Sequence, residues 1–360
     1  MKRSGYLMIL CVLIGCVLAA AMAGCPKEEQ VKAQANKPTI AIDLGEKYNT
    51  PDGMVLDADN TILLNIPNFN DDSHPAVVLR ISEDDKIEEV CTLPVHPVSK
   101  KVGPLGIDVG SDGNLYIADN QGMVGHPEGI SRLLRVNMKD GKARSIDTVA
   151  EGMRMANAVS CFGDSVYVTE TSLDPEAVPM PSGVYRFRYS EFAGKPVKVA
   201  VGGGDRHLIA KFTTTADDWR ATVGANGLGF DKDGNMYVCN FGEASLLKYT
   251  FDENGKTSAP TVVARGQGME STDGLKVHPE TGEIYIADFV ANAVHKVDPK
   301  TGKVTTIWRN ENNSGGKDGL LDKPSEVCIR GNRIYVSNID LTLDGNEHDA
   351  PHTISVIELE

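Results

Sequence analysis

In the stretch TDGLKVHPETGEIYIADFVANAVHKVD, from Thr272 to Asp298, short apolar runs are separated by turns. The first run is followed by the turn HPETGE, and the second run, EIYIAD, alternates with the period of two that is typical of a strand. Two such strands joined by a glycine-containing turn indicate a β-hairpin. A third run, AVHKVD, then predicts a third strand beside the hairpin.

The same pattern recurs along the chain about every fifty residues. In the clear copies a tyrosine occupies the same phase of the second strand. These tyrosines are Tyr116, Tyr167, Tyr237, Tyr285 and Tyr335. The copies are PDGMVLDADNTILLNI from Pro51, PLGIDVGSDGNLYIAD from Pro104, ANAVSCFGDSVYVTE from Ala156, ANGLGFDKDGNMYVCN from Ala225, the opening stretch, and PSEVCIRGNRIYVSN from Pro324. Six copies of this length predict an all-β fold, a six-bladed β-propeller.

The last copy ends in TISVIEL and lacks an outer strand. The early run PTIAIDL, from Pro38 to Leu44, can supply that strand and so remove an exposed sheet edge. We therefore expect residues 38–360 to form one propeller whose ring is closed by an N-terminal strand that joins the last blade.

Residues 1–24 have the pattern of a targeting segment. Lys2 and Arg3 precede an apolar run, and Met-Ala-Gly then leads to Cys25. This resembles a bacterial lipoprotein signal, which implies lipidation of Cys25, a tether over residues 25–37, and a membrane partner at the periplasm-facing cell envelope, with inner or outer membrane left open. An ordinary secretory signal and an uncleaved anchor are the alternatives.

Composition narrows the function classes. The formal net charge is −14, which disfavours nucleic acid as a partner. The cysteines after Cys25 form no CxxC pair, so the sequence predicts free thiols and neither a haem attachment nor a thiolate zinc site.

Polar residues stand at one point of the repeat, directly before the small or apolar run that opens a strand: Asp52, Asn157, Asn226 and Asp273. The innermost strands of a propeller line its central channel, so these side chains are expected to converge at one mouth. Two carboxylates and two amide oxygens, with no histidine or cysteine at that level, favour Ca²⁺, although another divalent cation would fit. The alternative is that these residues serve only as turn formers.

This order of residues resembles the senescence marker protein (regucalcin)/gluconolactonase family, to which paraoxonases and diisopropyl fluorophosphatase are related. The closest segments are ANG around Asn226 and TDGL around Asp273. The resemblance implies that Asp52, Asn226 and Asp273 are metal ligands and that Asn157 is a ligand or holds a metal-bound water or substrate. It implies a calcium-dependent hydrolase of lactones or esters, with Asp273 as general base or nucleophile and a small molecule as substrate.

The chain also departs from this pattern. Asp52 stands where the family usually has a glutamate, Met155 where gluconolactonases resembling the animal enzyme have an arginine, and Leu105 where paraoxonases have a histidine. The resemblance therefore predicts neither sugar-lactone specificity nor a histidine dyad.

Long connections between second and third strands are expected at the same mouth, where they would set specificity. They carry the substrate-loop candidates His74, His126, His348 and His352. His348 and His352 form an HxxxH pair, which binds metal when a helix presents both rings on one face. Because Pro351 indicates a loop, we expect these two to be solvated loop residues.

A second class of function stays open. The copies from Pro104 and Thr272 also resemble NHL repeats, which build propellers used mainly for binding. Under that interpretation the protein is a non-catalytic envelope binding protein with a structural metal. A pocket with an open metal position at the channel mouth would favour the hydrolase.

Overall fold

The computed structural model describes residues 37–126 and 128–359. In this part of the chain, nearly all regular structure is strand, arranged in six small sheets that form a six-bladed propeller, as predicted. The predicted signal segment and Cys25 lie outside the described residues, as does the tether up to residue 36. No helix within the described ranges is long and apolar enough to cross a membrane.

Each blade starts with an inner strand at the channel, followed by a second strand antiparallel to it. The inner strands of blades 1 to 6 are Met54–Leu56, Pro104–Val109, Ala156–Phe162, Ala225–Phe230, Leu275–Val277 and Pro324–Arg330. The second strands are Ile62–Ile66, Leu115–Asp119, Ser165–Glu170, Met236–Asn240, Ile284–Asp288 and Arg333–Asn338.

The outer half of each blade repeats this antiparallel order. The third strands are Val77–Ile81, Ser131–Lys139, Met180–Arg188, Ser245–Tyr249, Ala293–Val297 and Thr353–Glu358. The outer strands of blades 1 to 5 are Ile87–Thr92, Lys142–Met153, Leu208–Thr214, Thr261–Arg265 and Val304–Arg309, and blade 2 adds the short parallel strand Val197–Lys198. Short 3₁₀ turns lie at Tyr189–Phe192, Trp219–Thr222, Phe241–Glu243 and Lys317–Gly319.

The ring closes as the sequence predicts. The strand Thr39–Asp43 pairs antiparallel with Thr353–Glu358 and becomes the outer strand of blade 6. Ile42 and Leu44 then pack in one cluster with the blade 6 residues Tyr335 and Ile354. This pairing covers the outer edge of Thr353–Glu358.

The core lies between neighbouring blades. Tyr285 and Val294 of blade 5, for example, pack against Val327 and Val336 of blade 6 in one buried cluster. The tyrosine that recurs in the second strand is buried in every copy that has one. Cys239 and Cys328 are buried free thiols, whereas the free thiols Cys91 and Cys161 are only partly buried.

The glycines that directly follow Asn226 and Asp273 bring neighbouring blades into backbone contact. A Cβ atom on Gly227 would lie 2.4 Å from the carbonyl oxygen of Asp273, in the next blade. The amide of Gly227 donates to that oxygen at 3.1 Å, and the amide of Gly274 donates to the carbonyl of Ser325 at 2.8 Å. The small residue after each site residue therefore fixes neighbouring blades against each other.

Candidate metal centre

One register position of the six inner strands lines a single cavity at the channel mouth. We call these residues the channel ring: Asp52, Leu105, Asn157, Asn226, Asp273 and Ser325. The structure thus brings together all four oxygen-bearing residues that the repeat singled out. Their roles as ligands, and that of Asp273 in catalysis, stay predictions.

A carboxylate at the end of the second strand positions the chain that leads into the ring. In blade 5, Asp288 accepts hydrogen bonds from the backbone amides of Glu270 at 2.7 Å and Ser271 at 2.9 Å. In blade 3, Glu170 accepts from the amide of Met155 at 2.6 Å. These amides lie two or three residues before the ring residues Asp273 and Asn157, so the carboxylates set the direction from which these two side chains enter the channel. In the sequence, the signal for this arrangement is the acidic residue at the end of IYIAD and VYVTE, which was overlooked.

The electrostatics of the ring favour a cation. Burial raises the pKa of Asp52 to about 7, and the charge of Glu326 adds to this rise, while a hydrogen bond from Ser325 opposes it. Burial and the charges of Asp52 and Glu326 raise the pKa of Asp273 well above its ordinary value, against a hydrogen bond from Asn226. The carboxyls therefore resist being charged together unless a positive ion lies between them.

Hydrogen bonds orient the ring residue Asn157 so that its amide oxygen can serve as a metal ligand. The side-chain nitrogen of Asn157 donates to Thr171 Oγ1 at 3.2 Å, and that hydroxyl donates to the carbonyl of Ala225 at 2.8 Å. The amide oxygen of Asn157 is therefore left for another partner. Carboxylate and amide oxygens are the donors that Ca²⁺ prefers, and the cavity lining in the described chain contains no histidine or cysteine. The residues present fit a hard divalent cation.

The walls above the ring are apolar and enclose a cavity of about 100 Å³. Most of them belong to the connections between second and third strands, as expected. The apolar wall residues are Met123, Met155, Trp219, Val223, Phe241, Phe289, Ile339, Leu341 and Leu343. A polar floor under apolar walls is the usual form of a site for a small organic ligand.

None of the four predicted substrate-loop histidines lines this cavity in the described structure. His74 lines a separate surface cavity beside the blade 1 connection, and His126 lies 3.0 Å from Glu128. The expectation of solvated histidines in the last connection is wrong for His352, whose ring is 2% exposed. The reason is that the His348 ring stacks on the His352 ring and Asp340 lies beside it.

Below the ring lies an ion pair that was not predicted from the sequence. Glu326 occupies the register position that is glycine in blades 1, 2, 4 and 5, and its Oε2 lies 3.1 Å from Lys276 Nζ. Asp108 contributes further negative charge to this pair. Lys276 and Asp108 also line a cavity of about 280 Å³ at the opposite end of the inner strands. Aligning PSEV with PDGM would have revealed the substitution of glycine by glutamate.

Comparison with known proteins supports this architecture. Residues 208–313 match the family model described as SMP-30/Gluconolactonase/LRE-like region, which covers Asn226 and Asp273 of the ring. None of the curated protein sequences compared with the chain matches it.

Among similar solved structures is a gluconolactonase from Xanthomonas campestris, with 16% identity, a TM-score of 0.55, and coverage of 91% of this chain and 96% of that one. A calcium-binding regucalcin from Agrobacterium tumefaciens has 15% identity, a TM-score of 0.55, and coverage of 90% and 93%. A PQQ-bound aldose sugar dehydrogenase from Streptomyces coelicolor has 15% identity, a TM-score of 0.58, and coverage of 90% and 98%.

At these identities the structural likeness shows the fold and leaves the reaction open. The match over residues 208–313 supports the resemblance that Asn226 and Asp273 predicted. The protein is a six-bladed propeller whose residues 208–313 match the model of the SMP-30/Gluconolactonase/LRE-like region.

Proposed function

We propose that this protein is a calcium-dependent hydrolase of lactones or esters that acts at the channel ring. Asp52, Asn157, Asn226 and Asp273 would hold the ion. The observation that carries the proposal is the concentration of these oxygen donors on the floor of one apolar cavity. The regucalcin neighbour is described as calcium-binding and the Xanthomonas neighbour as a gluconolactonase, which supports the same chemistry.

When bound, Ca²⁺ would polarise the carbonyl oxygen of the substrate. Asp273 would take a proton from the attacking water, whose oxygen forms a bond to the acyl carbon. The acyl carbon–oxygen bond of the lactone or ester then breaks, and the proton passes to the departing alkoxide. Phe241, Phe289 and Leu341 would hold the apolar part of the substrate and exclude bulk water from the ring.

The test combines metal binding with turnover. Metal-free protein is titrated with Ca²⁺ by calorimetry, and aliphatic lactones and aryl esters are offered with calcium or with chelator. We expect one calcium-dependent activity, which Asp273→Asn lowers by about 100-fold or more. Asp84→Asn, which changes an exposed turn carboxylate, is the matched control.

Turnover that is equal with calcium and chelator would contradict the proposal. Calcium binding at the ring without turnover of any substrate would instead support the binding protein suggested by the NHL-like repeats.

We further propose that the protein is anchored at the periplasmic face of the cell envelope through a lipid on Cys25. The sequence pattern before Cys25 supports this. Metabolic labelling with a fatty acid probe should mark the wild-type protein and leave Cys25→Ser unlabelled. Labelling of both would contradict the anchor.

A further inference from the structure

A second cluster of metal-ligating side chains lies in the connection between the last two strands, residues 339–352. Asp340 comes soon after the strand Arg333–Asn338, and His352 directly precedes Thr353–Glu358. The backbone holds both ends, because the amide of Asp340 donates to Asp322 at 3.2 Å and the carbonyl of His352 accepts from Leu44 at 2.8 Å. We call Asp340, His348 and His352 the loop cluster.

The ligand atoms of the loop cluster converge on one point. Asp340 Oδ2 lies 2.8 Å from His348 Nδ1 and 3.5 Å from His352 Nδ1. The two imidazole rings are stacked, with centroids 4.5 Å apart and an angle of 8° between their planes. One potential ligand atom from each residue falls within 4.8 Å of the others. Ligand atoms this close together can bind one ion in common.

The hydrogen bond from Asn70 fixes where His348 carries a lone pair. The side-chain nitrogen of Asn70 lies 2.7 Å from His348 Nδ1, and since an amide NH₂ can only donate, Nδ1 carries a lone pair. A bound cation would take this lone pair in place of Asn70, whose side-chain nitrogen also donates to the carbonyl oxygen of Asp340 at 3.0 Å. His352 Nδ1 is buried and makes no well-formed hydrogen bond in the described structure, because its carboxylate neighbour, Asp340 Oδ2, lies 3.5 Å away. Burial lowers the pKa of His352, but Asp340 and Glu46 outweigh it and raise the pKa, so a metal at this nitrogen would take the place of a proton. A buried polar atom without a partner is costly, and a bound cation would satisfy it.

The groups around the loop cluster also favour a bound cation. Asn346 donates to Asp340 Oδ1 at 2.8 Å, and the amide of Asp349 donates to Oδ2 at 3.2 Å, so the carboxylate is held in place. Asp322 adds a further carboxyl beside Asp340. The Lys323 Nζ atom is paired with Asp344, at 3.1 Å.

We propose that the loop cluster binds a divalent transition-metal ion of the Zn²⁺ class. Two imidazole nitrogens and one carboxylate oxygen are a known zinc donor set, whereas Ca²⁺ takes oxygen donors. Water fills the fourth position, which is accessible because the His348 side chain is 23% exposed. The two sites of the protein therefore select different metals.

The bound ion fixes a wall of the channel cavity. Ile339, Leu341 and Leu343 line that cavity and belong to the same connection as the loop cluster. Joining Asp340 to His348 and His352 closes the loop on itself and restricts the positions of these wall residues. The metal thus acts as a clamp on residues 339–352. This role does not depend on hydrolysis at the ring.

The test uses metal-stripped protein titrated with Zn²⁺ and, separately, with Co²⁺. We expect one Zn²⁺ per chain and a Co²⁺ absorption spectrum typical of four-coordinate nitrogen and oxygen ligation. His348→Ala, at the most exposed ligand, should weaken Zn²⁺ binding by about 100-fold or more. His126→Ala, in the equivalent connection of blade 2, should leave it unchanged, and Ca²⁺ binding should be the same in all three proteins.

Digestion with a glutamate-specific protease tests the clamp. Glu347 lies in the loop and is exposed, and Glu253 lies in an exposed turn of blade 4. Zn²⁺ should slow cleavage after Glu347 and leave cleavage after Glu253 unchanged. Equal Zn²⁺ affinity in wild type and His348→Ala overturns the metal site, and cleavage after Glu347 that ignores Zn²⁺ overturns the clamp.

Discussion

The channel ring and the loop cluster differ in how the chain builds them. Each ring residue comes from a different blade and stands at the same register position. The loop cluster comes from a single irregular connection between two strands. The ring offers only oxygen atoms to a metal, whereas the cluster offers two imidazole nitrogens and one oxygen.

A repeat and a loop therefore place metal ligands by separate physical means. Backbone hydrogen bonds between blades hold the ring, so its geometry depends on the whole propeller. Contacts within one connection and with its neighbours Asn70, Asp322 and Leu44 hold the cluster, so it can be altered without disturbing the ring. Changes that affect one site and spare the other test this separation.

The largest expected effect concerns pH and the ring. Without metal, folded Asp52 keeps its proton up to about pH 7, whereas the unfolded chain loses it near 3.8. The folded state then binds more protons between these values, so the free energy of unfolding falls as pH rises through this window. The loss from Asp52 amounts to about 4 kcal/mol, because one pKa unit corresponds to about 1.4 kcal/mol.

Calcium should reverse most of this loss, because it stabilises the charged carboxylates. Denaturant unfolding between pH 4 and pH 8, with calcium and with chelator, measures the difference. Asp52→Asn should flatten the chelator curve. Identical pH dependence in both conditions would show that the ring holds no cation.

The next effect concerns the ion pair below the ring. Lys276→Met leaves Glu326 without its cation, beside Asp52 and Asp273. We expect a loss of about 3 kcal/mol in the free energy of unfolding under chelator, together with tighter calcium binding. Zinc binding at the loop cluster should not change.

Lys296→Met is the control for this pair. Lys296 Nζ lies 2.8 Å from Glu283, but both side chains are 32% exposed, so its loss should cost less than about 1 kcal/mol. Equal losses in the two variants would contradict a special role for the buried pair.

A smaller effect is expected from the contact between blades. In Gly227→Ala the new methyl group meets the Asp273 carbonyl and the Leu275 amide, which belong to backbone and cannot move away easily. We expect a loss of about 2 kcal/mol and weaker calcium binding, with zinc binding retained. Gly194→Ala is the matched control, since nothing lies within 4 Å of its added Cβ. Calcium affinity that survives Gly227→Ala would show that the ring tolerates displacement of a blade.

The smallest effect joins the two regions. Leu341 lies in the connection of the loop cluster and lines the cavity above the ring. Leu341→Ala removes apolar contact with the substrate worth about 1 kcal/mol, so KM should rise about fivefold while kcat stays constant. Steady-state kinetics with the best lactone or ester substrate measure both constants. A fall in kcat would instead place the residue in the chemical step.

The sequence predicted the propeller, its closure and the meeting of Asp52, Asn157, Asn226 and Asp273, because a repeat fixes register and register fixes where side chains go. It did not reveal Ser325, which occupies the same position but is neither acid nor amide. The glutamate after it escaped notice for the same reason, since only alignment of all copies exposes it.

The loop cluster lay beyond prediction for a different reason. His348 and His352 are close in sequence, but their partner Asp340 stands at the other end of the connection. Irregular chain has no period that brings such residues together, and the contacts of Asp340 with Asn346 and of His348 with Asn70 arise only in the folded protein. The same holds for Trp219, which reaches the cavity from the link between blades 3 and 4.

The closure of blade 6 also bears on how the protein folds. Thr39–Asp43 is the first strand of the propeller in chain order, and its partner Thr353–Glu358 is the last. Their pairing is the contact of greatest sequence separation, so it demands the greatest loss of chain entropy and should form late. Almost the entire propeller must therefore be in place before the earliest strand finds its partner. Until then Thr353–Glu358 lacks its outer neighbour, and the incompletely closed chain exposes a sheet edge that other chains can pair with.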